Sequence, residues 1–211
     1  MPQIVYYVYA YGCLLRQGEI SCGEKINVVV PTGNFGNILA AFYAKNMGLP
    51  IETLYCASNE NKVLFDFFQT GTYDRKREFI LTSSPSMDIL ISSNLERLIY
   101  RIAGEDAGKT RELMEALAAG GEYRITDEMR ARLNDFCGGF ATEEETRAAI
   151  RNMYERAGYV MDTHTAVASH VYYDQAQKTG RKTVIASTAS PYKFTRSVMN
   201  ALGEDEDGVS D

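Results

Sequence analysis

The chain has 211 residues, 45% of them hydrophobic, and a formal net charge of −6. That length allows one large or two small domains with a sizeable core, and the acidic balance argues against nucleic acid as the partner. The two histidines and four scattered cysteines (Cys13, Cys22, Cys56 and Cys137) offer no metal-ligand spacing, so no zinc site is expected and the thiols read as reduced, in a cytoplasmic protein.

Pro2 leads directly into an apolar run, so the sequence starts as if in the middle of folded material. Residues 3–17 read as a helix, with Pro2 tolerated at its first turn and Gly18 placed to end it. Tyr6, Tyr7, Tyr9 and Tyr11, with Ile4, Val8 and Leu15, make it apolar nearly all round, which predicts burial against a sheet or a second subunit. No membrane span is expected, and the start lacks the basic-then-apolar order of a secretion signal.

Residues 26–30 form a short β-branched run that suits a strand buried on both faces, although a buried helical segment fits the periodicity as well. Pro31 ends the pattern, since it has no amide hydrogen for a sheet ladder. The run Gly33-Asn34-Phe35-Gly36-Asn37 follows, and then an apolar pattern at helical spacing through Ile38, Ala41, Phe42 and Lys45. Strand, glycine turn and helix together point several backbone N–H groups at one anion. Asn34 and Asn37 flank the turn with side chains that both donate and accept. The two glycines by themselves also fit a plain chain reversal, and the lack of GxGxxG removes a dinucleotide fingerprint.

Gly48-Leu49-Pro50 breaks that helix and residues 51–56 read as a second strand, which predicts a βαβ unit in a parallel sheet. Residues 60–68 read as a helix closing near Gly71, 73–76 as a polar loop, 79–82 as a short edge-like strand and 83–86 as a turn. A helix over 89–102 carries the stripe Leu95, Leu98, Ile99 and Ile102. The Glu-, Arg- and Ala-rich stretch 105–158 predicts helices near 107–118, 127–136 and 143–157, a short strand at 123–126, and glycine joints at Gly120-Gly121 and Gly138-Gly139. Thr142 and Glu145 fit a capping box. This stretch reads as a peripheral helical excursion between two parts of one larger domain, 1–104 and 159–203, with a disordered acidic tail at 204–211.

Asp162 or Thr163 is placed to cap a helix through 166–177, with His164 in its first turn. The helix field there disfavours protonation, so a neutral, hydrogen-bonding imidazole fits better than a general base. Residues 183–187 read as the next buried strand, and Thr188-Ala189-Ser190-Pro191 turns into a final helix. In parallel α/β sheets ligands sit beyond the C-terminal strand ends, so the loops at 33–37, 57–59, 162–164 and 187–190 are expected to converge.

Four collinear segments resemble the threonine synthase family: VVVPTGNFGNILAAFYAKNMGLPI at 28–51, PSMDILISSNLERL at 85–98, MDTHTAVA at 161–168 and STASPYKF at 187–194. The resemblance implies an α/β fold with the three-layer parallel-sheet core of the pyridoxal-phosphate-dependent tryptophan-synthase-β-like type, here incomplete and carrying a helical insertion. It implies pyridoxal 5'-phosphate as cofactor, with Gly33, Asn34, Phe35, Gly36 and Asn37 cradling the phosphate and Thr188 facing the pyridine nitrogen. Asn94, Arg97, Asp162, His164 and Lys193 would shape the substrate pocket. The implied reaction turns O-phospho-L-homoserine and water into L-threonine and phosphate. The family has Pro where Thr163 stands and His where Ser190 stands, both in pocket loops. Its N-terminal portion, with the lysine that binds the cofactor covalently in a Ser-Phe-Lys-Asp-like motif, has no counterpart, so the sequence reads as a C-terminal part inactive by itself. Two rival readings are a non-catalytic anion- or nucleotide-binding module and a structural piece that forms a homo-oligomer through exposed surface.

Overall fold

The computed structural model describes residues 2–203. The first helix, α1 (Ile4–Arg16), buries Tyr7 and Tyr11. Val5, Tyr6, Val8 and Tyr9 are each more than half exposed, so within this chain only one face of the helix packs. Strand β1 (Ile26–Pro31) is buried along its whole length. Its residues alternate, Val28 and Val30 toward one helical layer and Val29 toward the other, the period of a strand and not of a helix. Pro31 pairs with Ala57 as the last residue of the strand, where a missing N–H costs the ladder least. Helix α2 (Gly36–Asn46) returns the chain to β2 (Ile51–Ser58), which runs parallel to β1.

Helix α3 (Val63–Thr70) stops at Gly71, which takes the left-handed conformation. Part of the predicted polar loop is instead strand β3 (Thr72–Asp74), antiparallel to residues 122–124. The stacked rings of Tyr73 and Tyr123, 5.4 Å apart, bury that small ribbon. Residues 79–82 are not a strand. The Ile80 N–H donates to Asn61 Oδ1 and the Thr82 N–H to Asp88 Oδ2, both at 2.9 Å, so side chains take donors that a ladder would need. Helix α4 (Leu95–Ile102) begins later than predicted, because 89–94 form a loop that runs to the glycine turn; its apolar stripe is buried.

Helix α5 (Ala107–Gly120) and strand β4 (Glu122–Arg124) precede α6 (Asp127–Ala131), which is shorter than expected. The chain leaves it to form β5 (Phe136–Phe140), parallel to β2. Gly138 and Gly139, read as a joint, therefore lie in the central sheet, and 105–158 is not wholly peripheral. A Cβ on Gly139 would stand 2.6 Å from Val171 Cγ1, so this edge strand admits no larger residue where the neighbouring helix approaches. Helix α7 (Glu143–Ala157) starts with the predicted capping box. Helix α8 (Thr163–Asp174) is capped by Asp162 and followed by a 3-10 turn, Ala176–Thr179. Strand β6 (Thr183–Ile185) is shorter than predicted and half-buried at the sheet edge. A 3-10 turn, Pro191–Phe194, leads into α9 (Thr195–Leu202). The acidic tail expected at 204–211 lies outside the described residues.

The sheet order is β5-β2-β1-β6 and every pairing in it is parallel. Helices α2 and α3 cover one face, with α1, α4 and α5 joined to the same core. Helix α8 covers the other face, with α7 and α9 behind it. The result is a three-layer α/β/α core. After β1 the chain moves into the first layer, and after β6 into the second, which opens a crevice at their C-terminal ends. Among the described residues no helix is long and apolar enough to cross a membrane, and no group of three or more His, Cys, Asp or Glu is placed to hold a metal ion.

Candidate functional site

The crevice is built around residues 33–38. Phe35 sits at the N-cap of α2 with φ +64°, a left-handed conformation that disfavours a side chain, and no side chain caps the helix. Its ring is buried 5.8 Å from Phe136 and 6.2 Å from Phe68, which anchors the conformation from the core side. The sharp turn leaves the first N–H groups of α2 without helical acceptors. Among the described residues, no backbone N–H from Gly33 to Ile38 finds a protein acceptor. A cavity of about 290 Å³ opens there, lined by the whole turn together with Ser86, Asn94 and Thr188. No charged side chain lines it, so its positive potential comes from backbone donors and the α2 dipole.

Neighbouring segments lock the turn through its carbonyls. Ser92 Oγ donates to the Gly33 carbonyl at 2.8 Å, and the Asn94 N–H and Nδ2 donate to the Asn34 carbonyl at 3.1 and 2.7 Å. A Cβ on Gly33 would meet the Ser86 carbonyl oxygen at 2.5 Å, so the 85–87 turn can lie against the loop only because residue 33 is glycine. Tyr7 Oη donates to Asn37 Oδ1 at 2.7 Å, and burial pushes the Tyr7 phenol well above its ordinary pKa. The locks act on acceptor atoms and leave the donors free.

A second cavity, about 550 Å³, runs beside the open edge of β6 and shares Gln3, Asn37 and Thr188 with the first. Of the predicted site residues, the structure brings 33–37, Asn94 and Thr188 together around one cavity. Arg97 stands behind Asn94: its guanidinium donates to Asn94 Oδ1, and it lines a separate cavity of about 730 Å³ between α4 and α5. Asp162 and His164 are buried behind the site and line neither of the first two cavities. Burial pushes the Asp162 carboxyl up, but hydrogen bonds from His164 and Thr165 outweigh it and hold the pKa below its ordinary value. Lys193 is exposed in its 3-10 turn and lines neither cavity. Sequence reasoning missed Ser86, Ser92 and Tyr7 as site residues. The serines lie in or beside the segment 85–98, but their contacts with Gly33 close only across about 60 residues of chain.

A family model described as "Threonine synthase, C-terminal" matches residues 165–210. Threonine synthase-like 1 of Homo sapiens is 46% identical over 204 residues, which cover 96% of this chain and 27% of that relative. Threonine synthase of Saccharomyces cerevisiae is 37% identical over 219 residues, covering 96% and 42% respectively. Among solved structures, PLP-bound threonine synthase from Brucella melitensis superposes with a TM-score of 0.89 at 39% identity, over 96% of this chain and 42% of that one. Yeast threonine synthase gives 0.87 at 35% identity, over 99% and 43%. The chain thus spans less than half the length of the relatives it matches. The agreement of sequence and backbone over nearly all of its length makes this chain a homologue of the threonine synthases, with the tryptophan-synthase-β-like α/β fold of pyridoxal-phosphate enzymes.

Proposed function

We propose that this chain is the phosphate-holding part of a pyridoxal-phosphate enzyme of the threonine synthase type, acting in amino-acid biosynthesis. The observation that carries the reading is the row of backbone N–H groups from Gly33 to Ile38 that lack protein acceptors and face a small cavity lined by neutral side chains. A phosphate monoester fits that donor set: several oxygens, one anion, no competing carboxylate. The cofactor, when bound, supplies an electron sink for carbanion chemistry. The chain's own residues hold and orient: Asn94 and Ser92 fix the turn through its carbonyls, and the Thr188 hydroxyl offers a polar contact in the same cavity. In the whole protein the proposed reaction converts O-phospho-L-homoserine and water to L-threonine and phosphate. The phosphate-only alternative, a nucleotide-binding module, shares the same donors and is separated by ligand choice.

Calorimetric titration with pyridoxal phosphate tests the reading. We expect saturable binding that pyridoxal does not reproduce, nucleotides that bind more weakly, and a loss of about tenfold or more in Gly33→Ala. A folded chain that prefers a nucleotide would favour the alternative. Among the described residues no lysine lines either cavity, which supports a further expectation: the 211-residue chain alone does not turn over O-phospho-L-homoserine. Phosphate release by the purified chain, in proportion to its concentration, would overturn that. The free apolar face of α1 supports self-association of the isolated chain.

A further inference from the structure

We propose that Asp162 is a positioning residue that sets two walls of the anion cavity at once, an inference that deepens the phosphate-holding role proposed above. Asp162 is 1% exposed at the N-cap of α8. Its Oδ1 accepts the backbone N–H groups of His164 at 2.9 Å and Thr165 at 3.2 Å, and lies 3.3 Å from His164 Nδ1. Its Oδ2 accepts the Thr165 hydroxyl. The side chains divide between the oxygens: the imidazole faces Oδ1 and the Thr165 hydroxyl Oδ2.

The first arm runs through the imidazole. His164 is buried, with its ring 4.8 Å from that of Phe194, and its Nε2 accepts the Ser86 N–H at 3.2 Å. A neutral ring with the proton on Nδ1 satisfies both contacts: Nδ1–H faces the carboxylate and Nε2 accepts. Ser86 in turn presses its carbonyl against Gly33. The second arm runs through the hydroxyl. Thr165 Oγ1 lies 3.2 Å from Ser187 Oγ, beside Thr188. Ser86 and Thr188 line the same 290 Å³ cavity, whereas Asp162, His164 and Thr165 do not. One buried, ionised carboxylate thus holds the 85–87 turn through His164 and the 187–188 segment through Thr165.

Residue-resolved amide exchange and calorimetry with inorganic phosphate test this on the full chain. The reporters are the Ser86 N–H, bonded to His164, and the Ala186 N–H, which donates to the Val29 carbonyl at 2.9 Å just before Ser187. In His164→Leu, exchange should rise about tenfold at Ser86 and stay unchanged at Ala186; in Thr165→Val the pattern should reverse. Asp162→Ala should free both. The conservative variants His164→Gln and Thr165→Ser should restore their own arm, with phosphate affinity within about twofold of wild type, against about tenfold weakening in the cut variants. If Asp162→Ala does not fold, the two single-arm pairs decide. Unchanged exchange at the reporter of a cut arm, or no rescue by the conservative variant, would overturn the proposal. A wild-type chain that binds no phosphate would overturn the phosphate-holding role instead, and the exchange pattern would still judge the coupling.

Discussion

At the scale of single residues, the buried carboxylate of Asp162 has the clearest consequence for pH. Its folded-state pKa lies below the ordinary value, because the hydrogen bonds from His164 and Thr165 prevail over burial. A carboxyl depressed on folding stabilises the native state at pH above its unfolded value, about 3.9, and that contribution disappears as pH falls through the lower folded value. Asp162→Asn keeps a helix cap but does not titrate. We expect it to flatten the stability profile in the acid region below about pH 4 and to cost about 1–3 kcal/mol at neutral pH, read from urea unfolding at a series of pH values. The sequence left the cap of α8 between Asp162 and Thr163, and the structure gives it to Asp162. Nor could the sequence show that His164 and Thr165 go on to meet Ser86 and Ser187, because those contacts depend on which loops pack against α8.

Among the elements, α7 is the most local in its logic. Thr142 accepts the Glu145 N–H and the Glu145 carboxylate returns to the Thr142 N–H, so two otherwise orphaned donors are satisfied within four residues. Thr142→Ala should cost about 1 kcal/mol, measured by chemical denaturation, while leaving the sheet intact. Its bounds agree with the sequence expectation for the same reason: caps and glycine stops are encoded beside the helix they end. Strand β5 is the opposite case. Its glycines look like breakers in the sequence, and Gly139 is required only because α8 lies against the sheet. Residues 79–82 fail in the reverse direction: their β-like composition is overridden by Asn61 and Asp88, which bind the backbone first.

For the whole molecule, the parallel sheet places the glycine turn and Thr188 at one crevice, while the free face of α1 borders the second cavity through Tyr6. Exposed Val5, Tyr6, Val8 and Tyr9 form an apolar surface continuous along one helix side. We expect the isolated chain to self-associate with rising concentration in sedimentation, and Val5→Ser with Tyr9→Ser to shift that equilibrium toward monomer by about tenfold. A concentration-independent monomer would remove the inference.

The sequence by itself determined the βαβ unit, the glycine turn that opens α2, and the capping box of α7. These follow from periodicity, side-chain capping and glycine placement, all interactions within a few residues of chain. Only the tertiary structure decided that one face of α1 is exposed in this chain, that β5 completes the sheet, that Ser86 lines the cavity at the glycine turn, and that Ser92 holds the Gly33 carbonyl. Those outcomes depend on which distant segments meet, and a contact between residues 33 and 92 leaves no local trace in the chain that makes it.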